Sequence, residues 1–264
     1  MKPPAAGAAL VVDGLDLRFG AVQALSELSF DVRSGELFAV IGPNGAGKSS
    51  LFNLLSRTYH PTRGRITYFG RDLLALRAHQ LAGAGIARTF QNLGLFGPLT
   101  ALDNVVIGRT SLGRSGIVSS GLRLPRARRE DREHRAAALE ALRTVGAADV
   151  ADRPVGLLPY GVQKRVEIAR ALAMQPKLLL LDEPVAGMSR DERSSIAELV
   201  GRLNRERGIT TMLVEHDMGV VMGLATRVLV LDFGRPVAIG TPAEIQANPE
   251  VIRAYLGETA ELSR

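Results

Sequence analysis

Short apolar runs alternate with helical stretches along this chain, the pattern of an α/β fold with a mostly parallel sheet. Residues 37–41 (Leu-Phe-Ala-Val-Ile) and 178–181 (four leucines) are continuously apolar, as strands buried on both faces must be. Residues 209–214 predict a third such strand. Residues 10–19 and 24–32 instead alternate roughly between apolar and polar, which predicts half-exposed antiparallel strands. Residues 64–70, with Ile66, Tyr68 and Phe69, predict another, so a side sheet should lie against the parallel core. From residue 92 to about 160 the pattern is mostly helical and predicts a helical subdomain, with a Gly- and Arg-rich insertion over 109–135.

Helix starts carry their own cap chemistry. Thr241-Pro242-Ala243-Glu244 sets a hydroxyl at the cap, proline at the first helical position and glutamate at the third. Ser189 with Glu192 repeats the box. Asn248-Pro249-Glu250 predicts a last short helix that Gly257 can close. Residues 1–9 are expected to be a disordered tail without the apolar core of a secretory signal. Residues 10–257 are then one domain and 258–264 a second tail.

Composition narrows the chemistry. The 264 residues include no cysteine, which removes disulfides, thiol nucleophiles and cysteine metal sites. No apolar run approaches the roughly 18–20 residues that cross a bilayer; 220–233 is too short and is broken by Thr226 and Arg227. The formal charge of +6 is concentrated. Residues 109–135 hold eight arginines against Glu130, Asp131 and Glu133. A general nucleic-acid face is therefore not expected. The insertion reads either as an internally paired helix or as a contact for anionic headgroups or an acidic membrane partner.

The chemistry sits at strand ends. Gly42-Pro43-Asn44-Gly45-Ala46-Gly47-Lys48-Ser49 fits G-x-x-x-x-G-K-[ST], follows a predicted strand and opens a predicted helix at 50–56. Its glycines let backbone N–H groups turn toward phosphate oxygens, and the helix N-terminus adds its positive dipole end. Lys48 would grip the β- and γ-phosphates of ATP, Ser49 would hold Mg²⁺, and Ser50 extends the cradle. The leucine strand ends in Asp182, a candidate Mg²⁺ ligand, and Glu183, a candidate general base for the attacking water.

Residues 158–163, Leu158-Pro159-Tyr160-Gly161-Val162-Gln163, followed by Lys164 to Leu172, resemble the L-S-G-G-Q signature of ATP-binding cassette proteins. The resemblance covers about 11–257. It implies a P-loop core with an antiparallel side sheet and an inserted helical subdomain, the ABC ATPase fold. It sets Gln91 at the glutamine loop, where it would approach the metal and the membrane partner. It makes His216, in Val214-Glu215-His216-Asp217, the switch histidine. Phe19 falls where the family stacks an aromatic on adenine, although taken alone it reads more often as a packing ring. Two residues depart from the pattern. Pro159 replaces the signature serine and has neither hydroxyl nor N–H, so Gly161 and its neighbours would carry the phosphate contact. Ser189 stands where the family often has Asp or Asn.

Within the superfamily the chain resembles the ATP-binding subunits of branched-chain amino-acid importers. The residues are Arg88 to Asn92 with Leu95-Phe96, the Tyr-Gly signature, Val166 to Arg170, 214–218 and the tail from Gly240 to Gly257. The resemblance implies an ATPase using ATP and Mg²⁺ at the cytoplasmic face of the membrane. Its partners would be integral permease subunits, a second cassette, identical or not, and indirectly an extracytoplasmic solute-binding protein. Residues 158–163 would act in trans on the partner cassette's nucleotide. Related cassettes serve export or other small solutes. A soluble cassette of translation or DNA repair would carry two cassettes or a long coiled coil. A non-hydrolysing regulatory cassette is suggested only by Pro159 and Ser189.

Overall fold

The computed structural model describes residues 7–89, 93–112 and 125–261. The strands are β1 (Ala8–Phe19), β2 (Val22–Arg33), β3 (Leu37–Ile41), β4 (Arg63–Tyr68), β5 (Arg71–Asp72), β6 (Ile86–Arg88), β7 (Leu178–Asp182), β8 (Thr210–Val214), β9 (Arg227–Asp232) and β10 (Arg235–Gly240). The α-helices are α1 (Lys48–Leu55), α2 (Leu81–Ala84), α3 (Ala101–Gly108), α4 (Pro125–Thr144), α5 (Tyr160–Leu172), α6 (Arg190–Arg207), α7 (Met218–Leu224), α8 (Pro242–Ala247) and α9 (Pro249–Glu261).

Two sheets form. The larger has the order β10-β9-β3-β8-β7-β6 and is parallel except for edge strand β10. The smaller, β2-β1-β4-β5, is antiparallel. The apolar runs serve both faces of the large sheet. Leu37, Ala39 and Ile41 of β3 pack with the helices, whereas Phe38 and Val40 point into the layer between the sheets. Leu179 and Leu181 of β7 likewise face the helices, and Leu178 and Leu180 the small sheet. A period of two on two covered faces is what makes these runs apolar throughout.

The half-exposed strands arise as their alternation predicts. Leu10, Val12, Leu15 and Leu17 of β1 are buried against α1 and the large sheet, while Val11, Asp13 and Asp16 are not. The helical region is α3, α4 and α5, joined through Ala101, Val105, Ala138, Leu142, Val166 and Ala169. Of the basic insertion, 113–124 lie outside the described residues. In the rest, Arg129 meets Glu133 within the insertion at 3.0 Å, while Arg135 meets Asp103 at 3.0 Å and Arg109 donates to the Ala173 carbonyl, both outside it. No helix among the described residues is long and apolar enough to cross a membrane.

Both predicted capping boxes are present, at Ser189/Glu192 and Thr241/Glu244. Several boundaries differ. β4 ends at Tyr68 rather than at residue 70, because Phe69 (φ +42°) and Gly70 (φ +76°) turn left-handed, and α1 starts at Lys48 rather than Ser50. β1 begins at Ala8, inside the expected tail, because Ala8 pairs with Arg33. The final helix runs through Gly257 to Glu261, into the expected second tail. One glycine costs a helix only about 1 kcal/mol, so it stops a helix only where the chain turns left-handed. The run 220–233 divides at Ala225-Thr226 into α7 and β9.

Candidate functional site

The phosphate loop joins β3 to α1 across a backbone that only glycine permits. Gly42 has φ +151°, and a Cβ there would lie 2.0 Å from the Leu231 carbonyl oxygen. Gly47 has φ +98° and is the N-cap of α1, with no side-chain cap bond. The first turn of α1 therefore presents its amides to the cleft rather than to a capping hydroxyl, as an anion site requires. Lys48 is buried, and its Nζ donates to the carbonyls of Gly42 (2.5 Å) and Pro43 (2.7 Å). The ammonium is thus held inside the ring of the loop.

A cleft of about 380 Å³ opens over this loop. Asn44, Gly45, Ala46, Gly47, Lys48, Ser49 and Ser50 form its floor; Glu183 and His216 form one wall and residues 22–24 another. Glu183 and His216 are 33 positions apart, but β7 and β8 are adjacent and parallel, so both follow the same edge of the sheet. His216 Nε2 donates to Glu183 Oε1 at 2.8 Å. Glu183 has φ +47°, left-handed for a non-glycine residue, at a cost of about 1–3 kcal/mol. Its amide still donates to the Val214 carbonyl at 2.9 Å, so the ladder is intact up to the turn that projects the carboxylate.

Asp182 ends β7 and is buried. Arg88 Nη2 engages its Oδ2 at 2.8 Å, while Nη1 donates to Asn53 and Ser56 of the α1 segment. Arg88 was legible only as a motif letter; its pairing needs β6 beside β7. The donors expected for a metal, the Ser49 hydroxyl and the Asp182 carboxylate, are hard oxygens, and Arg88 engages one carboxylate oxygen. That donor set suits Mg²⁺, which takes few protein oxygens beside substrate phosphates. Among the described residues no cluster of three or more His, Asp or Glu forms a dedicated metal cage.

Other predicted residues fall elsewhere. Phe19 faces Val22 across the β1–β2 turn, is 46% exposed and packs edge-on against Tyr59 at 5.0 Å. Val22, rather than Phe19, lines the cleft. Gln91, expected at the metal and the membrane partner, lies outside the described residues. Just beyond it, Arg170 of α5 donates to the carbonyls of Gly94 (2.7 Å) and Leu93 (3.1 Å), tying the signature helix to that segment.

None of Leu158, Pro159, Tyr160, Gly161, Val162 and Gln163 lines the cleft. Pro159 is the N-cap of α5, and Gln163 Nε2 donates to the Leu158 carbonyl at 2.8 Å, which fixes the loop's shape. Glu192 approaches the signature from α6. The hydroxyl and amide of Ser189 hold its carboxyl below the usual range, and the Gly161 amide adds to this. One chain therefore carries a cleft over the glycine-rich loop and, away from it, the helix start of the signature segment.

Comparisons with known proteins agree with this geometry. The family model described as "ABC transporter" matches residues 25–186, and that described as "Branched-chain amino acid ATP-binding cassette transporter" matches 235–261. The high-affinity branched-chain amino acid transport ATP-binding protein LivG of Salmonella typhimurium is 42% identical over 94% of this chain and 98% of its own. The crystal structure of the ADP conformation of an ATP-binding cassette superposes with TM-score 0.83 at 30% identity, covering 95% of this chain and 99% of its own. A dimeric cassette in a post-hydrolysis state, bound to ADP and phosphate, gives TM-score 0.74 at 27% identity over 88% and 98% of the two chains. With the phosphate loop, the Glu183–His216 pair and more than half of its length matched, the chain belongs to the ABC transporter family and is one of its ATP-hydrolysing cassettes.

Proposed function

We propose that this chain is the motor subunit of an importer for branched-chain amino acids or a related small polar solute. The observation that carries the motor reading is the Glu183–His216 hydrogen bond facing Lys48 and Ser49 across one cleft. Likeness to LivG and the match over 235–261 support the solute class.

In this reading the loop amides and Lys48 bind the β- and γ-phosphates of ATP. Glu183 takes a proton from the attacking water, and the His216 N–H holds that carboxylate in place. Mg²⁺, held by the Ser49 hydroxyl and Asp182 with Gln91 nearby, would neutralise charge on the phosphates. The other face of the nucleotide is supplied by residues 158–163 of a second cassette, identical or homologous. Gly161 and its neighbours would offer amides there, since Pro159 has no hydroxyl to offer. Phe19 stacks on adenine if its exposed ring turns to the base. Phe96, Leu99 and Leu157 are exposed apolar residues on adjoining segments and suit a permease loop. The chain would sit at the cytoplasmic face of the membrane through that contact, with a solute-binding protein across the membrane.

Glu183→Gln tests the motor. ATP binding should persist while turnover falls by roughly 10²–10⁴-fold, and the ATP-loaded variant should pair. Absence of Mg²⁺-dependent hydrolysis by the wild-type chain with its permease would sink the reading. Leucine uptake by vesicles carrying the whole complex tests the solute; uptake of urea instead would move the assignment to another solute class.

A further inference from the structure

We infer that Glu215 is a positioning residue for the hydrolytic pair, acting through the backbone on both of its members. This rests on the reading of Glu183 and His216 as that pair. Glu215 is only 3% exposed. Its Oε1 accepts from the Val185 amide at 3.0 Å; its Oε2 accepts from the amides of His216 at 2.9 Å and Asp217 at 3.3 Å. Val185 lies two residues beyond Glu183, on the loop after β7. His216 and Asp217 lie on the loop after β8. One carboxylate therefore spans the two loops that carry the two reacting side chains.

The need for such a tie follows from the sheet. The β7–β8 pairing ends at Asp182 opposite Val214, and the Glu183 amide bond to Val214 is its last rung. Past that rung the chains separate, and Glu183 is in the strained left-handed region. Nothing in the ladder then sets the distance between the Glu183 and His216 side chains. Glu215 supplies the missing cross-link with three bonds from backbone amides to one carboxylate, and bonds to a charged acceptor are stronger than neutral ones. The other buried carboxylates among the described residues, Glu36, Glu167 and Asp182, each pair with a cation. Glu215 is satisfied by loop amides instead, so its burial serves the backbone of the site. The tie extends outward. Asp217 caps α7 through the Val220 amide at 3.1 Å and pairs with Arg193 of α6 at 2.6 Å, which braces the same two segments.

Glutamine keeps the shape of Glu215 but turns an NH₂ donor toward an amide N–H, so one loop is released. Aspartate is one methylene short and reaches one loop at a time. The test is steady-state ATP hydrolysis by the full chain, assembled with its permease where hydrolysis requires it. E215Q and E215D are measured beside wild type, E183Q and H216A, with thermal unfolding of each. The expected result for E215Q is a fall in kcat of about 10- to 100-fold, the scale of a misplaced reacting group. KM for ATP, governed by the phosphate loop, stays near wild type. The same change in an H216A background costs much less, because the two act through one pair. Should E215Q fail to fold, E215D is judged by the same kcat and KM criteria. If E215Q and E215D hydrolyse at the wild-type rate while H216A does not, the inference is overturned and the reading of the pair stands. Equal losses in both backgrounds, or a raised KM with a matching loss of melting temperature, make Glu215 merely structural and also overturn it. If E183Q and H216A themselves turn over normally, it is the reading of the pair that fails.

Discussion

Gly42 of the glycine-rich loop and Gly161 of the signature segment are both proposed here to serve phosphate recognition, but the chain holds them in opposite ways. Gly42 is locked at φ +151°, and a Cβ would meet a main-chain carbonyl oxygen at 2.0 Å. Gly161 sits in the first turn of α5, where an added Cβ would meet only the tip of Glu192 at 2.9 Å. The first glycine is demanded by this chain's own fold. The second is spared by the fold and needed only if another molecule approaches the helix start. In the proposed reading, the phosphate-loop half of the site is complete within one chain, and the signature half awaits a partner.

The largest expected effect is at Gly42. Gly42→Ala should cost roughly 3 kcal/mol or more, because both the backbone angle and the carbonyl oppose it. Thermal unfolding and ATP binding by the isolated chain should fall together. A variant with normal melting temperature and affinity would break the comparison. Gly161→Ala should leave the isolated chain's stability within about 1 kcal/mol, since alanine favours a helix and a flexible carboxylate can move. ATP affinity should also be kept. ATP-driven pairing in the E183Q background, followed by size-exclusion chromatography, should be lost. Unfolding of this variant, or undiminished pairing, would show that the two halves are not divided in this way.

The smallest effect is electrostatic. Ser189 holds the Glu192 carboxyl below its usual 4.5, so the folded chain favours the charged form. That contribution is fully present above the unfolded value and is lost as pH falls through the lowered folded one. Melting temperature should therefore drop between about pH 5 and pH 3 by slightly more in wild type than in E192Q. Superimposable curves would show that Glu192 does not anchor the start of α6 beside the signature.

Much of this site was legible in one dimension because its chemistry is local. Residues 42–49 carry the turn, the lysine and the hydroxyl within eight positions, and the apolar run before them had to be a buried strand. Asp182 and Glu183 were legible as the polar end of another such run. The hydrogen bond between Glu183 and His216 was not, because it depends on which strands are neighbours. Arg88 and Glu215 carried no signal beyond their place in a motif. Arginine at the end of a three-residue strand and glutamate before a histidine become an ion pair and a cross-link only once β6, β7 and β8 are side by side. β9 was hidden in an apolar stretch it shares with α7, β6 is an edge strand of three residues, and edge strand β10 is exposed or half-buried throughout and shows little periodicity.

By itself, the sequence determined the α/β class, the two kinds of sheet, the capping boxes and the phosphate loop, since these follow from periodicities and contacts within a few residues. The tertiary structure alone decided strand order, and with it the 2.8 Å approach of His216 to Glu183, the pairing of Arg88 with Asp182 and the bridge made by Glu215. It also decided that the signature stands apart from the cleft of its own chain. Hydrogen bonds and ion pairs act over a few ångströms, and only the folded sheet brings residues thirty or more positions apart within that reach.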